Sequence, residues 1–252
     1  MWGIIPAAGR GTRIQPLAFS KELLPVGSRL IQGSERPRAV GDYLVERMLV
    51  AGVDRICFVI APGKSDIVEH FGGETGAASI CYAVQPQPVG LCDAIFRALP
   101  FIAPDDTVAI GLPDTIWFPV DGLARLPKDR LSFLLFPVLR PEFFDAVVAS
   151  DDGEVQEIQV KRPGAESNWI WGAIQATGTI LRELQELWEA RGRGDEYIGT
   201  LVNAYLAKGG SAVGVRAGEL YVDVGTLDGY RTAIRLLSQS AEQPSTPAWA
   251  RS

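Results

Sequence analysis

The sequence predicts a doubly wound, mostly parallel α/β sheet with an antiparallel elaboration in its carboxyl-terminal half. Three observations carry this prediction. Apolar runs of strand length alternate with helical patterns from Gly3 to Leu112. A Gly-rich turn follows the first of those runs directly. Beyond Arg130 the strands instead flank a tight turn, Asp151-Asp152-Gly153, the chemistry of an antiparallel hairpin.

The elements follow in order. Gly3-Ile4-Ile5-Pro6-Ala7 reads as a short buried strand that passes into Ala8-Gly9-Arg10-Gly11-Thr12-Arg13. Asp42 is placed as the N-cap of a helix whose apolar positions, Tyr43, Leu44, Met48 and Ala51, recur at helical spacing until Gly52 ends it. The nearly continuous apolar run Arg55–Ala61 suits a strand covered on both faces. A helix over Ser65–Phe71, a strand Ser79–Val84, a helix Leu91–Leu99 and a strand Thr107–Leu112 complete four strands joined by helical crossovers. The second half reads as strands Arg130–Val138, Ala146–Ala149, Glu154–Val160 and Trp169–Thr177, then helices Thr179–Arg191 and Asp195–Lys208. Short strands Ser211–Val215 and Glu219–Val222 precede a closing helix, Thr226–Ser238. The remainder, 239–252, rich in Ser, Gln, Pro and Ala, is read as a frayed tail. No repeat or linker interrupts the pattern, so a single domain over residues 1–238 is expected.

Composition removes several classes. The 252 residues are 47% apolar and 21% charged, which excludes disorder and collagen-like repeats. With Lys+Arg 24 against Asp+Glu 30, the net charge of −6 argues against nucleic acid held on a broad basic face. The longest apolar stretch, Leu131–Leu139, is interrupted by Ser132 and Pro137 and is too short for a bilayer span. The amino terminus shows neither a basic region nor a cleavage signal. Cys57, Cys81 and Cys92 are too dispersed for a disulfide framework or a metal site and read as reduced thiols. A cytoplasmic protein is therefore expected. His70, at a helix end, reads as a surface histidine rather than a member of a catalytic triad.

The first strand–turn junction carries the most chemistry. Its glycines let backbone N–H groups approach anionic oxygens closely. Arg13 and Lys21 add a planar fork and a mobile point charge. The spacing matches neither the dinucleotide fingerprint nor the P-loop, which needs Lys-Ser/Thr directly after its second glycine. A phosphate-binding loop and a structural tight turn both remain open on these residues alone.

Five segments in order resemble the sugar-1-phosphate nucleotidyltransferases, with the glucose-1-phosphate thymidylyltransferase branch nearest. They are Pro6-Ala7-Ala8-Gly9-Arg10-Gly11-Thr12-Arg13 with Lys21-Glu22-Leu23-Leu24-Pro25; Gln85-Pro86-Gln87-Pro88-Val89-Gly90; Leu112-Pro113-Asp114; Lys161-Arg162-Pro163; and Tyr221-Val222-Asp223-Val224-Gly225-Thr226. The resemblance implies a Rossmann-like, GT-A-type sheet, with a nucleotide-binding half over 1–125 and a sugar-phosphate half over 126–238. It implies a nucleoside triphosphate bound by Ala8, Gly9, Gly11, Thr12 and Arg13, its base read by Gln85 and Gly90. Arg13 would neutralise the triphosphate and Lys21 would bridge phosphates at the reacting centre. Mg²⁺ would sit on Asp114 and Asp223, a hard-oxygen pair suited to that ion. A Gln side chain can meet the N3–H/O4 edge of thymine or uracil, which favours dTTP or UTP.

The departures concern the acceptor. Lys161-Arg162-Pro163 stands where the family has Glu-Lys-Pro, so Arg162 replaces the phosphate-binding lysine and Lys161 the acid. Pro141-Glu142-Phe143-Phe144-Asp145 occupies a place where the family has a Tyr-Gly whose backbone meets a sugar hydroxyl; Asp145 there could bond a hydroxyl, repel a carboxylated substrate or serve as a turn residue. Trp169 and Trp171 share a strand face and form either a stacking platform or core packing; Gly172 follows them. Asp145, Lys161, Arg162, Trp171 and Gly172 are therefore the sugar-phosphate candidates. A polar stretch, Ser28–Arg36, is additional to the compact members. The partners implied are a nucleoside triphosphate and a sugar-1-phosphate, with no nucleic acid and no membrane; homo-oligomer formation stays open. The rivals are a cytidylyltransferase acting on another phosphate or phosphonate, a non-catalytic nucleotide-sugar binder, and a glycosyltransferase, which usually carries an Asp-x-Asp metal motif absent near Asp114.

Overall fold

The computed structural model describes residues 1–241. Strand β1 (Trp2–Pro6) is buried along almost its whole length, with Ile4 and Ile5 feeding cores on opposite faces of the sheet. A hairpin then stands off the main sheet: β2 (Pro25–Ile31) and β3 (Ser34–Ala39). Gln32 and Gly33 turn it with φ of +49° and +78°, both in the left-handed region that a tight two-residue hairpin needs. The polar stretch Ser28–Arg36 is thus an element, and the sequence reading missed it because Gln-Gly is a weak hairpin signal.

Helix α1 (Val40–Val50) is capped at Ala39, not at Asp42. Asp42 is instead its third residue, and its carboxylate accepts the Ala39 N–H at 3.1 Å. The expected N-cap is corrected by three residues because an acid at this position reaches back to the cap. Next come β4 (Arg55–Ile60), α2 (Ser65–Phe71), the two-residue β5 (Glu74–Thr75), β6 (Ala78–Val84), α3 (Leu91–Arg97) and β7 (Thr107–Gly111). Within the sheet the parallel order is β6-β4-β1-β7. The chain therefore winds outward from β1 through β6 and then returns to the other side of β1. That reversal opens a crevice at the carboxyl ends of β1 and β7.

Strand β8 (Thr115–Phe118), also missed from sequence, is short and follows β7 directly. The later strands are β9 (Leu131–Pro137), β10 (Asp145–Ala149), β11 (Val155–Val160) and β12 (Trp169–Thr177). β12 pairs antiparallel with β7 and so joins the two halves in one sheet. Between β9 and β12 the register shifts across Trp171 and Ala173, leaving Gly172 as a bulge. Helices α4 (Gly178–Ala190) and α5 (Ile198–Ala207) follow, with Thr177 accepting the Ile180 N–H at 3.2 Å as the α4 cap. β13 (Ala212–Val215) adds parallel to β9, and β14 (Leu220–Asp223) pairs antiparallel with β8. The closing helix α6 (Leu227–Ala241) extends past the expected Ser238. Of the expected tail, 242–252 lie outside the described residues. No helix among the described residues is long and apolar enough to cross a membrane.

Candidate active site

Asp114 follows β7 and Asp223 ends β14. The β8–β14 ladder places Thr115 opposite Asp223, and the Val224 N–H donates to the Asp114 carbonyl at 2.8 Å. Two residues far apart in sequence are thereby fixed side by side. Gly225 measures how close they come. A Cβ built there would lie 2.7 Å from Asp114 Oδ2 and 2.9 Å from Asp223 Oδ1. Glycine is required because the two carboxylates share that space.

Each carboxylate carries a cation. Lys21 Nζ donates to Asp114 Oδ2 at 2.5 Å, and Arg13 Nη1 donates to Asp223 Oδ2 at 2.8 Å. Burial by itself would lower the Lys21 pKa, but the carboxylates of Asp114, Glu22 and Asp223 outweigh it and the net shift is upward. Burial likewise pushes Asp114 up, and Lys21 outweighs it, so Asp114 is held below the usual range. Behind this pair, Lys64 Nζ donates to the Ala7 carbonyl at 2.6 Å and to both Glu22 carboxylate oxygens at 3.0 and 2.9 Å. One ammonium therefore ties the end of β1 to the segment that bears Lys21.

Arg13, Lys21, Glu22, Asp114 and Asp223 line a cavity of about 470 Å³. Ala8, Gly9, Arg13 and Lys21 form one wall, and Gln85 and Gly90 form another. Gly11 and Thr12 do not line it: Gly11, at φ +63°, packs against the Lys21 stem, and Thr12 is exposed. Gln85 is buried, and its amide N–H₂ donates to the Gly90 carbonyl at 3.0 Å and to Asp93 Oδ2 at 2.9 Å. Both donors being committed, only Oε1 is left to meet a ligand. Gly90 takes φ +109°, and a side chain there would meet the Glu196 backbone at 2.8 Å.

The far end of the cavity comprises Asp145, Lys161 and Trp171, together with Phe144, Tyr197 and Tyr221. Lys161 is at φ +45°, its Nζ 3.1 Å from the Tyr197 hydroxyl. That left-handed kink sends the next residue elsewhere. Arg162 is exposed, outside the cavity wall, and lies 3.5 Å from Glu157 and 3.6 Å from Glu166. The expectation that Arg162 stands among the sugar-phosphate residues is not matched by its position. Gly172 also lies off the wall; a Cβ there would strike Phe136 at 2.5 Å and Tyr221 at 2.8 Å. As the bulge residue it aims Trp171 into the cavity, whereas Trp169 packs beside the core. His70 is exposed, as expected of a surface histidine, with Nε2 3.0 Å from Asp42 Oδ1, and it does not line the cavity.

Sequence reasoning gave no role to Tyr221, Glu22, Lys64 or Tyr197. Tyr221 was within reach, since it stands two residues before Asp223 and shares its strand face. Burial, and then Asp223 and Asp114, push its phenol well above the ordinary value, so it is a neutral hydroxyl between the carboxylates and the far end. Lys64 and Tyr197 come from loops whose sequences carry no such signal.

The family model described as "Nucleotidyl transferase" matches residues 2–240. A glucose-1-phosphate thymidylyltransferase of Mycolicibacterium smegmatis is 27% identical over 237 residues, covering 90% of this chain and 79% of that one. A UTP–glucose-1-phosphate uridylyltransferase of Haloferax volcanii is 24% identical, covering 89% and 91%. A solved structure proposed to be a glucose-1-phosphate thymidylyltransferase from Bacillus anthracis, in complex with sucrose, superposes with a TM-score of 0.79. It is 23% identical, with 93% of this chain and 94% of that one covered, and it speaks for the fold. With the family model spanning nearly every described residue, the chain belongs to the nucleotidyl transferase family.

Proposed function

We propose that this chain condenses dTTP or UTP with a sugar-1-phosphate, giving a nucleoside-diphosphate sugar and pyrophosphate. The observation that carries the reading is the convergence of Asp114 and Asp223 at Gly225, each neutralised by a cation suited to phosphate. In the reaction an oxygen of the sugar phosphate forms a bond to the α-phosphorus, and the bond from that phosphorus to the bridging oxygen breaks. Pyrophosphate leaves with the electron pair. Such a displacement needs alignment and charge neutralisation more than covalent help.

The residues divide that work. Ala8 and Gly9 present backbone to the triphosphate, and Arg13 and Lys21 neutralise it. Lys161 meets the acceptor phosphate, while Gly11 backs the Lys21 stem and Gly172 backs Tyr221 from behind the wall. The donor set fits a divalent cation, because Asp114 and Asp223 offer two hard oxygens around one point and phosphates and water would complete the shell. Mg²⁺ held by Asp114 and Asp223 would draw off the charge that develops on the phosphate oxygens. Among the described residues no group of three or more His, Cys, Asp or Glu could hold a metal alone, so the nucleotide would complete that site.

Gln85 Oε1 supports the choice of base. It accepts from the N3–H of thymine or uracil, whereas cytosine presents an acceptor at N3 and would face it unpaired. This favours dTTP and UTP over CTP. Cys57 and Cys81 face each other across β4 and β6 as free thiols, which suits the reducing cytoplasm proposed as the location. The test supplies dTTP, UTP, CTP, ATP and GTP with a panel of sugar-1-phosphates and Mg²⁺, and follows pyrophosphate and nucleotide-sugar formation. Product from dTTP or UTP is expected. A clear preference for CTP would contradict the role given to Gln85, and silence with every pair would contradict the transfer.

A further inference from the structure

The far end of the cavity poses a charge that a neutral sugar does not answer. Asp114 and Asp223 each have an ion pair, at 2.5 and 2.8 Å. Asp145 lines the same cavity with no ion pair and no hydrogen bond of normal geometry among the described residues. Trp171 and Lys161 are near enough only to oppose the upward push that burial gives its carboxyl. An ionised carboxyl left in a half-buried wall is costly, and an arriving cation removes the cost.

The surroundings of Asp145 are aromatic: Phe144, Trp171 and Tyr221, with Tyr197 across the cavity. One of these rings already holds an ammonium, since Lys161 Nζ lies 4.2 Å from the Tyr197 centroid. Aromatic faces beside an unpaired carboxylate are the environment that ammonium groups prefer. We infer that the acceptor is a sugar-1-phosphate bearing a positively charged amino group, with its phosphate on Lys161 and its ammonium on Asp145 among the aromatic rings. The inference rests on the transfer proposed above and names its acceptor class. Asp145 then determines specificity, and when phosphate draws Lys161 away, the Tyr197 face is released to the incoming ammonium.

The test compares kcat/KM for glucose-1-phosphate, for its mono-amino analogues at C2, C3, C4 and C6, and for their N-acetyl forms. One amino isomer is expected to exceed glucose-1-phosphate by about tenfold or more, with the gain lost on N-acetylation. Asp145→Asn should bring that ratio close to unity, and Asp145→Glu should retain part of it. Asp145→Asn should also melt no lower than the parent, since it removes an unpaired, half-buried charge. Glucose-1-phosphate used as well as every amino isomer, or a preference that survives Asp145→Asn, overturns the inference and leaves the transfer standing. No pyrophosphate from any acceptor overturns both.

Discussion

Lys21 Nζ stands 2.5 Å from Asp114 Oδ2, so the cation placed to meet a phosphate occupies a carboxylate placed to meet a metal. Arg13 does the same to Asp223 at 2.8 Å. Without nucleotide, the four charges cancel in pairs. A triphosphate that draws the cations toward itself frees both carboxylates together, so nucleotide and divalent cation should bind cooperatively.

The first prediction concerns that competition. Lys21→Met removes the occupant of Asp114 and should tighten Mn²⁺ binding in the absence of nucleotide. A charge-assisted hydrogen bond is worth about 1.5–3 kcal/mol, so the gain should be roughly tenfold or more. Titration calorimetry with Mn²⁺ alone reads it. Equal or weaker binding by the variant would show that Lys21 does not compete.

Gly225 gives the second. Gly225→Ala places a methyl 2.7 Å from Asp114 Oδ2 and 2.9 Å from Asp223 Oδ1. The carboxylates must separate, and a misplacement of this order costs about 10²-fold in turnover. The melting temperature should change little while Mn²⁺ binding with nucleotide weakens. Normal turnover would mean the two carboxylates do not work together.

Base choice depends on Asp93. Its carboxylate accepts one of the two Gln85 donor hydrogens and pairs with Arg97 at 3.1 Å. Asp93→Leu leaves only the Gly90 carbonyl holding the Gln85 amide and frees one donor hydrogen, so that the amide can turn and offer N–H₂ to cytosine N3. The ratio of kcat/KM for UTP over CTP should then fall by about tenfold, within the range of one well-placed hydrogen bond. An unchanged ratio would mean that Asp93 does not set the amide orientation.

The Lys64–Glu22 pair supplies a stability prediction. Glu22 is 1% exposed and Lys64 15% at the side chain, so the pair is shielded. Lys64→Met leaves an uncompensated acid and should cost about 3–5 kcal/mol in urea unfolding. Lys64→Met with Glu22→Gln should recover most of it. Burial is the largest influence on Glu22 and raises its folded pKa above 4.5, against the pull of Lys64 and Lys21. The folded state therefore binds the extra proton, and stability from this group is present below pH 4.5 and falls as pH rises through the folded pKa. Without Lys64 that fall should steepen, so the deficit of Lys64→Met should shrink on acidification. A deficit constant with pH would assign the loss to packing alone.

Much of the frame was legible because it rests on periodicity. The nearly continuous apolar run Arg55–Ala61 announces a strand whatever surrounds it. What escaped depends on tertiary pairing. β8 is four residues long and gains its identity from the ladder to β14, yet that ladder brings Asp223 beside Asp114. The candidate residues near the Gly-rich turn were legible through their order. Lys161 and Arg162 were not separable by sequence, because adjacent cations diverge only once the backbone kinks at φ +45°. Asp42 was recognised as a capping acid but shifted by three residues, since an acid at the cap and one in the first turn look alike without hydrogen bonds.

The most direct test of the account is pyrophosphate release from dTTP or UTP with a sugar-1-phosphate and Mg²⁺, compared between the parent and the variant carrying both Asp114→Ala and Asp223→Ala. The parent should release pyrophosphate in step with nucleotide-sugar formation. The double variant should retain its fold and fall by about 10³-fold or more, as expected when the groups that neutralise developing charge are removed. Turnover that persists in the double variant would contradict the claim that these two carboxylates form the reacting centre.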